Sequence, residues 1–210
     1  MKTTFLIDGF NLYHSIIDLE RRFGSKTKWL NIHSLLKSYL PNISRESTLN
    51  SIYYFTAIRF HLQNSDPETI NRHKNYIEVL ESLGIQIEYG KFKRKTVRCK
   101  VCNNDFTKYE EKETDIAIIN KLWELVIDNQ NDAFVIVTGD TDIIPGLKTI
   151  KRKFPGIKLF MLFPFDRKND ELISLVDGHF KISREKYLSH QLPDPFILTD
   201  GRRLLKPENW

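Results

Sequence analysis

Short apolar runs rich in Ile, Val, Phe and Tyr recur along the chain at Thr3–Ile7, Ser51–Ala57, Ile85–Tyr89, Ala133–Val137 and Ile157–Phe163. Each has the length of a buried strand. Between them apolar residues return every three to four positions over Asn11–Phe23, Asn31–Leu40, Pro67–Leu83, Thr114–Asp128, Ile143–Phe154 and, more briefly, Asp170–Val176, which predicts helices. Strands that alternate with helices imply an α/β fold with helices on both faces of a mostly parallel central sheet. Two boundaries carry their own chemistry. Asp66-Pro67-Glu68 reads as an N-cap followed by proline in the first helical turn, and Leu83-Gly84 as a glycine stop.

Residues 91–112 break this pattern with a basic run, a cysteine pair and an Asn-Asn-Asp turn, and read as a loop or small hairpin leaving the core. Residues 191–210 hold Pro193, Pro195, Gly201 and Pro207 among scattered apolar anchors, which predicts an extended tail. One domain over residues 1–190 accounts for the rest, and no internal repeat is visible.

Composition narrows the class. The 14 Phe, 8 Tyr and 3 Trp can furnish a core without disulfides, so disorder is excluded as the main state. The longest apolar stretches, Phe134–Val137 and Leu159–Phe165, fall far short of the roughly 18 residues of a membrane span. The first segment meets Asp8 too early for the apolar core of a secretory signal, and Cys99 and Cys102 are the only cysteines; both facts lead us to expect a cytoplasmic protein. A net charge of +5 tilts the chain toward a polyanionic partner.

Candidate chemistry lies in the acids. Asp8 ends the first predicted strand, Asp140 follows the fourth, and Asp142 opens the next helix, so all three belong to the carboxyl edge of the sheet, where ligands bind in open α/β folds. Asp115 opens a helix whose stripe of Ile118, Ile119, Leu122 and Val126 shares its face, which leans it toward the sheet. Singly, each acid has a plainer role as a turn residue, an N-cap or a first-turn charge. Four converging carboxylates repel one another unless a cation neutralises them, and hard oxygen donors suit Mg²⁺ or Mn²⁺.

FLIDGFNLY at residues 5–13, EKETDIAI at 111–118 and VTGDTDIIPGL at 137–147, in that order, resemble the three signature segments of NYN-domain proteins, which belong to the PIN-like nuclease superfamily and include a LabA-like branch. The resemblance covers approximately Thr3–Tyr187. It implies a Rossmann-like α/β/α fold, a metal site formed by Asp8, Asp115, Asp140 and Asp142, and metal-dependent cleavage of RNA. Asn11 matches the family's asparagine after the first acid and would orient a carboxylate, a water or a phosphate, unless it caps the first helix. Thr138 matches a position that could contact water or substrate, against the commoner fate of a buried strand threonine. Lys112 matches a basic residue that would meet a phosphate if it is not merely solvated. The six histidines show no paired spacing and are read as core or surface residues.

The stretch KFKRKTVRCK at residues 91–100, with Lys93, Arg94 and Lys95 at its centre, could track an RNA backbone with Phe92 stacking on a base, or could be a solvated face. Cys99 and Cys102 supply half of a four-ligand zinc site; zinc shared between two copies in a homodimer is the less favoured reading, and plain loop residues the favoured one. Three functions follow from these readings. A cytoplasmic endoribonuclease acting on single-stranded RNA leads, and a non-catalytic RNA-binding or regulatory module is the alternative. A phosphatase of the haloacid dehalogenase type would need an aspartate at position 10, where the chain has Phe10.

Overall fold

The computed structural model describes residues 1–208 and 210. In chain order the elements are β1 (Lys2–Asp8), α1 (Gly9–Phe23), α2 (Ile32–Lys37), α3 (Leu40–Ile43), β2 (Thr48–Thr56), α4 (Pro67–Ser82), β3 (Gln86–Tyr89), β4 (Lys91–Arg98), β5 (Asp105–Lys112), α5 (Thr114–Ile127), β6 (Ala133–Val137), α6 (Ile144–Lys153), β7 (Lys158–Phe163), α7 (Asp170–Ile173), β8 (Gly178–Lys181), α8 (Arg184–Ser189), β9 (Phe196–Ile197) and β10 (Arg203–Leu204). Short 3₁₀ turns occupy Phe60–Leu62 and Thr141–Ile143.

Six strands form one sheet in the order β3-β2-β1-β6-β7-β8, and every neighbouring pair is parallel. The chain winds outward from β1 through β2 to β3, returns to β6 beside β1, and winds outward again through β7 to β8. The reversal opens a crevice between the carboxyl ends of β1 and β6. Side chains alternate across the sheet. Phe5 and Ile7 join one buried cluster with Leu12, Ile16 and Leu19 of α1 and Tyr76, Val79 and Leu80 of α4. Leu6 joins the other, with Ile118, Leu122 and Val126 of α5 and Leu147 and Ile150 of α6. Two apolar layers with one sheet between them make the expected α/β/α sandwich.

The caps follow the expected chemistry at α4, where the Asp66 carboxylate accepts from the Thr69 N–H (3.0 Å) and Gly84 past the end takes φ 81°. Helix α1 begins two residues earlier than its apolar period suggests, because Asp8 rather than Asn11 is its N-cap. The single helix expected over Asn31–Leu40 is split into α2 and α3. Pro41 lies in the first turn of α3, where it has no N–H to continue the ladder of α2. Strand β8 was not expected; its four residues GHFK, at the sheet edge, are too few and too polar to stand out.

Residues 91–112 form a regular antiparallel hairpin of β4 and β5, paired from Lys91 with Lys112 to Arg98 with Asp105. Both cysteines lie in its turn, as free thiols. Gln191 bridges to Leu30, β9 and β10 form a two-residue hairpin, and Trp210 returns against Trp29 and Tyr76 with ring centroids 6.1 and 5.5 Å apart. No helix among the described residues is long and apolar enough to cross a membrane.

Candidate active site

Asp8, Asp115, Asp140 and Glu111 line one open cleft of about 260 Å³ at the crevice between β1 and β6, together with Asn11, His14 and Arg167. Asp8 is placed by the end of β1 and is only 5% exposed. As the α1 N-cap its Oδ1 accepts the Asn11 N–H at 2.9 Å, and its Oδ2 accepts the Thr138 hydroxyl at 2.9 Å. The Thr138 oxygen in turn accepts the Asp140 N–H at 3.1 Å, and the Asn11 side-chain oxygen accepts the Gly139 N–H at 3.1 Å. Two links therefore stitch the end of β1 to the end of β6 and fix the spacing of Asp8 and Asp140. A side chain at Gly139 would stand 2.1 Å from the Arg167 carbonyl oxygen, so only glycine lets the β7–α7 loop close over this turn.

Asp115 lies in the first turn of α5 with Ile118, Leu122 and Val126 buried beneath it, as the stripe implied. The residue before that helix, Glu113, takes φ 81°, a left-handed conformation uncommon outside glycine. It turns the chain from β5 into α5 and brings Glu111 and Asp115 to the same cleft. The Thr114 hydroxyl donates to the Glu111 carboxylate.

Electrostatics follow from this crowding. Burial pushes the Asp8 carboxyl up to about 6, outweighing its two hydrogen bonds, with Glu111 and Asp140 adding repulsion. Burial also pushes Asp115 up to about 6, reinforced by Asp140, Asp8, Glu111 and Asp142. His14 is lowered by burial and by the charges of Arg59 and Arg167. An all-carboxylate set of this kind matches the donor chemistry of a hard divalent cation. Among the described residues, however, no three His, Cys, Asp or Glu side chains form a ready-made cage. The acids fit the ion in kind and stand apart as they are.

The remaining expected site residues fall elsewhere. Asp142 is exposed at the rim, its N–H bonded to Asp140 Oδ1 at 3.0 Å. Thr138 is fully buried, so its hydroxyl serves Asp8 and Asp140 instead of meeting a substrate. On the hairpin, Phe92 and Glu111 are directly opposite and share the face that looks toward the cleft; Phe92 packs edge-on against Phe10 at 5.6 Å. Lys112 is on the opposite face, paired with Glu110 at 3.2 Å. Lys93 and Lys95 share that outer face and meet Glu113 at 2.6 Å and Glu110 at 3.5 Å, while Arg94 is on the inner face near Thr107. The cysteines at the hairpin tip have no third ligand among the described residues.

Glu111, His14 and Arg167 were not singled out from the sequence. A period-two reading of Asp105–Lys112 puts Glu111 on the face of Tyr109, and its place four residues before Asp115 is a further signal. Arg167 has only its position in a loop at the carboxyl edge of the sheet, where the Asp18 carboxylate holds its guanidinium.

Beyond Phe10, which walls both spaces, lies a second and more enclosed cavity of about 120 Å³ between α1 and α4. Tyr54, Tyr76 and Trp210 supply aromatic wall, and Arg59, Arg72 and His73 supply polar groups.

A doubly wound parallel sheet with acids gathered at its reversal is the plan of the PIN-like nucleases. Residues 2–183 match the NYN domain, and the chain belongs to that family within the PIN-like superfamily. It is 25% identical over 245 aligned positions to the 6-hydroxy-3-succinoylpyridine 3-monooxygenase HspA of Pseudomonas putida, a match spanning 100% of this chain and 75% of that protein. A crystal structure of a protein of unknown function from Vibrio parahaemolyticus shares the fold with a TM-score of 0.56 at 15% identity, over 88% of this chain and 94% of the other.

Proposed function

We propose that this NYN domain is a metal-dependent endoribonuclease, and the observation that carries the reading is the convergence of Asp8, Asp115, Asp140 and Glu111 in one solvent-open cleft at the sheet reversal. Asp8, Asp115 and Asp140 would hold magnesium or manganese, with Asp142 near enough at the rim to add its charge. The ion, when bound, supplies Lewis-acid stabilisation of the phosphoryl oxygens and lowers the pKa of water. The protein's own part is positional. Thr138 and the α1 cap hold Asp8 rigidly, Asn11 ties the β6 turn to α1, and Arg167, held by Asp18, stands at the cleft wall. Burial of Asp8 raises the worth of its charge to a bound cation. Incubation with labelled single-stranded RNA and DNA in Mn²⁺, Mg²⁺ or EDTA tests the proposal: RNA is cut with either cation and left intact in EDTA. RNA bound in every condition and cut in none would leave the non-catalytic alternative.

A second reading is favoured by the enclosed aromatic cavity beside the cleft. The Pseudomonas putida relative is named for monooxygenation of 6-hydroxy-3-succinoylpyridine, a ring that such a cavity could receive. Saturable binding of that pyridine together with inert RNA would support it.

A further inference from the structure

We propose that the cavity between α1 and α4 is a nucleotide subsite that takes one planar base, with Arg59 and Arg72 on the adjoining phosphate. The proposal rests on the ribonuclease reading for its substrate class.

Position is the first argument. Phe10 is a wall of both this cavity and the acid cleft, so the two spaces adjoin across one side chain and a nucleotide next to the scissile one is within reach of the cavity. Arg59 lines the cavity, and its charge reaches both spaces, depressing His73 on the cavity side and His14 on the cleft side.

The chemistry of the walls is the second. Tyr54, Tyr76 and Trp210 present ring surface to the space, the sequence-tolerant way in which single-stranded nucleic acid is held. The volume, about 120 Å³, is on the order of ten times the ~10–15 Å³ that one water needs, which suits one heterocycle and excludes a base pair.

Charge is the third. Arg59 and Arg72 are half-buried, and among the described residues neither is within ion-pair distance of a carboxylate, whereas Arg21, Arg167 and Arg202 each are. Arg72 donates to the Thr69 hydroxyl at 2.7 Å, which itself donates to the Asp66 carboxylate at 2.6 Å, and Arg59 lies over the Phe92 ring at 5.8 Å, so both are positioned without a direct ion pair. Asp66, at the exposed cap of α4, offsets part of the Arg72 charge through that hydroxyl, and among the described residues Arg59 has no such relay. Guanidinium forks beside an aromatic slot match a phosphate joined to a base. His73, held neutral because burial and Arg59 bring it down to about 4, bonds the Thr56 hydroxyl at 3.3 Å and leaves ring and hydroxyl to meet the polar edge of a base.

The test is run in EDTA, so that cleavage plays no part. Quenching of tryptophan fluorescence, with Trp210 in the cavity wall, is titrated with the four nucleoside 5′-monophosphates and with tetraribonucleotides. Saturable binding is expected in the wild type, weakened at least tenfold by Arg59→Gln and by Arg72→Gln and unchanged by Lys148→Gln on the outer surface, with melting curves confirming that each variant folds. Tetranucleotides that bind at least tenfold more tightly than mononucleotides assign the subsite to an RNA strand; equal affinities assign it to free nucleotides. Absence of binding, affinity indifferent to both arginine substitutions, or binding of nicotinate with no binding of nucleotides would overturn the proposal. Because these titrations contain no metal, an inert enzyme that still binds nucleotides separates failure of the nuclease reading from failure of the subsite.

Discussion

Replacing Asp8 by asparagine is expected to stabilise the metal-free protein at alkaline pH and to destabilise it slightly in acid. Asp8 is 5% exposed, and its carboxyl is raised from 3.8 to about 6 even though it caps α1 and accepts the Thr138 hydroxyl. A rise of that size corresponds to about 3 kcal/mol against the charged side chain. The folded state therefore binds the proton more tightly than the unfolded chain. The stability Asp8 contributes is fully present below pH 3.8 and is lost as pH rises to about 6. Asparagine carries no such penalty and caps a helix as well as aspartate does. Its amide nitrogen replaces the oxygen that accepts from Thr138, so the buried Thr138 O–H is left without its acceptor, a loss of about 1 kcal/mol. The net effect is a gain of about 2 kcal/mol at pH 8 that turns into a loss of about 0.5 kcal/mol at pH 4, read as urea midpoints in EDTA. Millimolar Mn²⁺ should reverse the order, since a cation that binds the folded wild type stabilises it by mass action. A variant that is less stable than wild type at pH 8 in EDTA, or shifted equally at both pH values, would refute the electrostatic reasoning.

Changing Lys93, Arg94 and Lys95 together to glutamine should leave the melting temperature unchanged and flatten the salt dependence of RNA binding. Glu113 and Glu110 already offset two of these cations, so the loss should be about one to two phosphate contacts, or ~0.7–1.4 in the log–log slope; an unaltered slope would make the ribbon a solvated face. Cys99→Ser with Cys102→Ser should preserve melting temperature, oligomeric state and cleavage, because the turn is exposed. Stoichiometric zinc by elemental analysis, lost in the double variant, would contradict this. Gly139→Ala should cost about 1–3 kcal/mol in thermal unfolding and weaken cleavage, since the added methyl group drives the Arg167 main chain off the site; an unchanged melting temperature would show that the loop gives way freely.

The sheet was legible because its central strands are buried on both faces and write themselves as continuous apolar runs: FLI in β1, AFVIV in β6 and KLFMLF in β7. Edge strand β8 has no such signature, since its neighbours cover only one side. The acids at the ends of β1 and β6 were legible for the same reason, because a strand that is certain has a certain end. Glu111 was not, since it reaches the cleft from a hairpin outside the sheet, through the left-handed turn at Glu113 that no local composition announces. Asp142 and Lys112 show the converse. Both belong to recognisable segments, yet a 3₁₀ turn puts one at the rim and strand alternation puts the other on the outer face. The partition of Lys93 and Arg94 to opposite faces of β4 likewise follows only once the stretch is known to be a strand.

In the proposed reaction a divalent cation gathered by Asp8, Asp115 and Asp140 would act on the scissile phosphate of RNA. Cleavage of an RNA carrying sulfur in place of one non-bridging oxygen at the cut site, measured in Mg²⁺ and in Mn²⁺, tests that contact. Magnesium prefers hard oxygen donors while manganese tolerates the softer sulfur. One sulfur diastereomer is expected to be cut slowly in Mg²⁺ and rescued in Mn²⁺, with the all-oxygen RNA cut in both. Equal rates for sulfur and oxygen substrates in Mg²⁺, or no cleavage of the all-oxygen RNA in either metal, would contradict it.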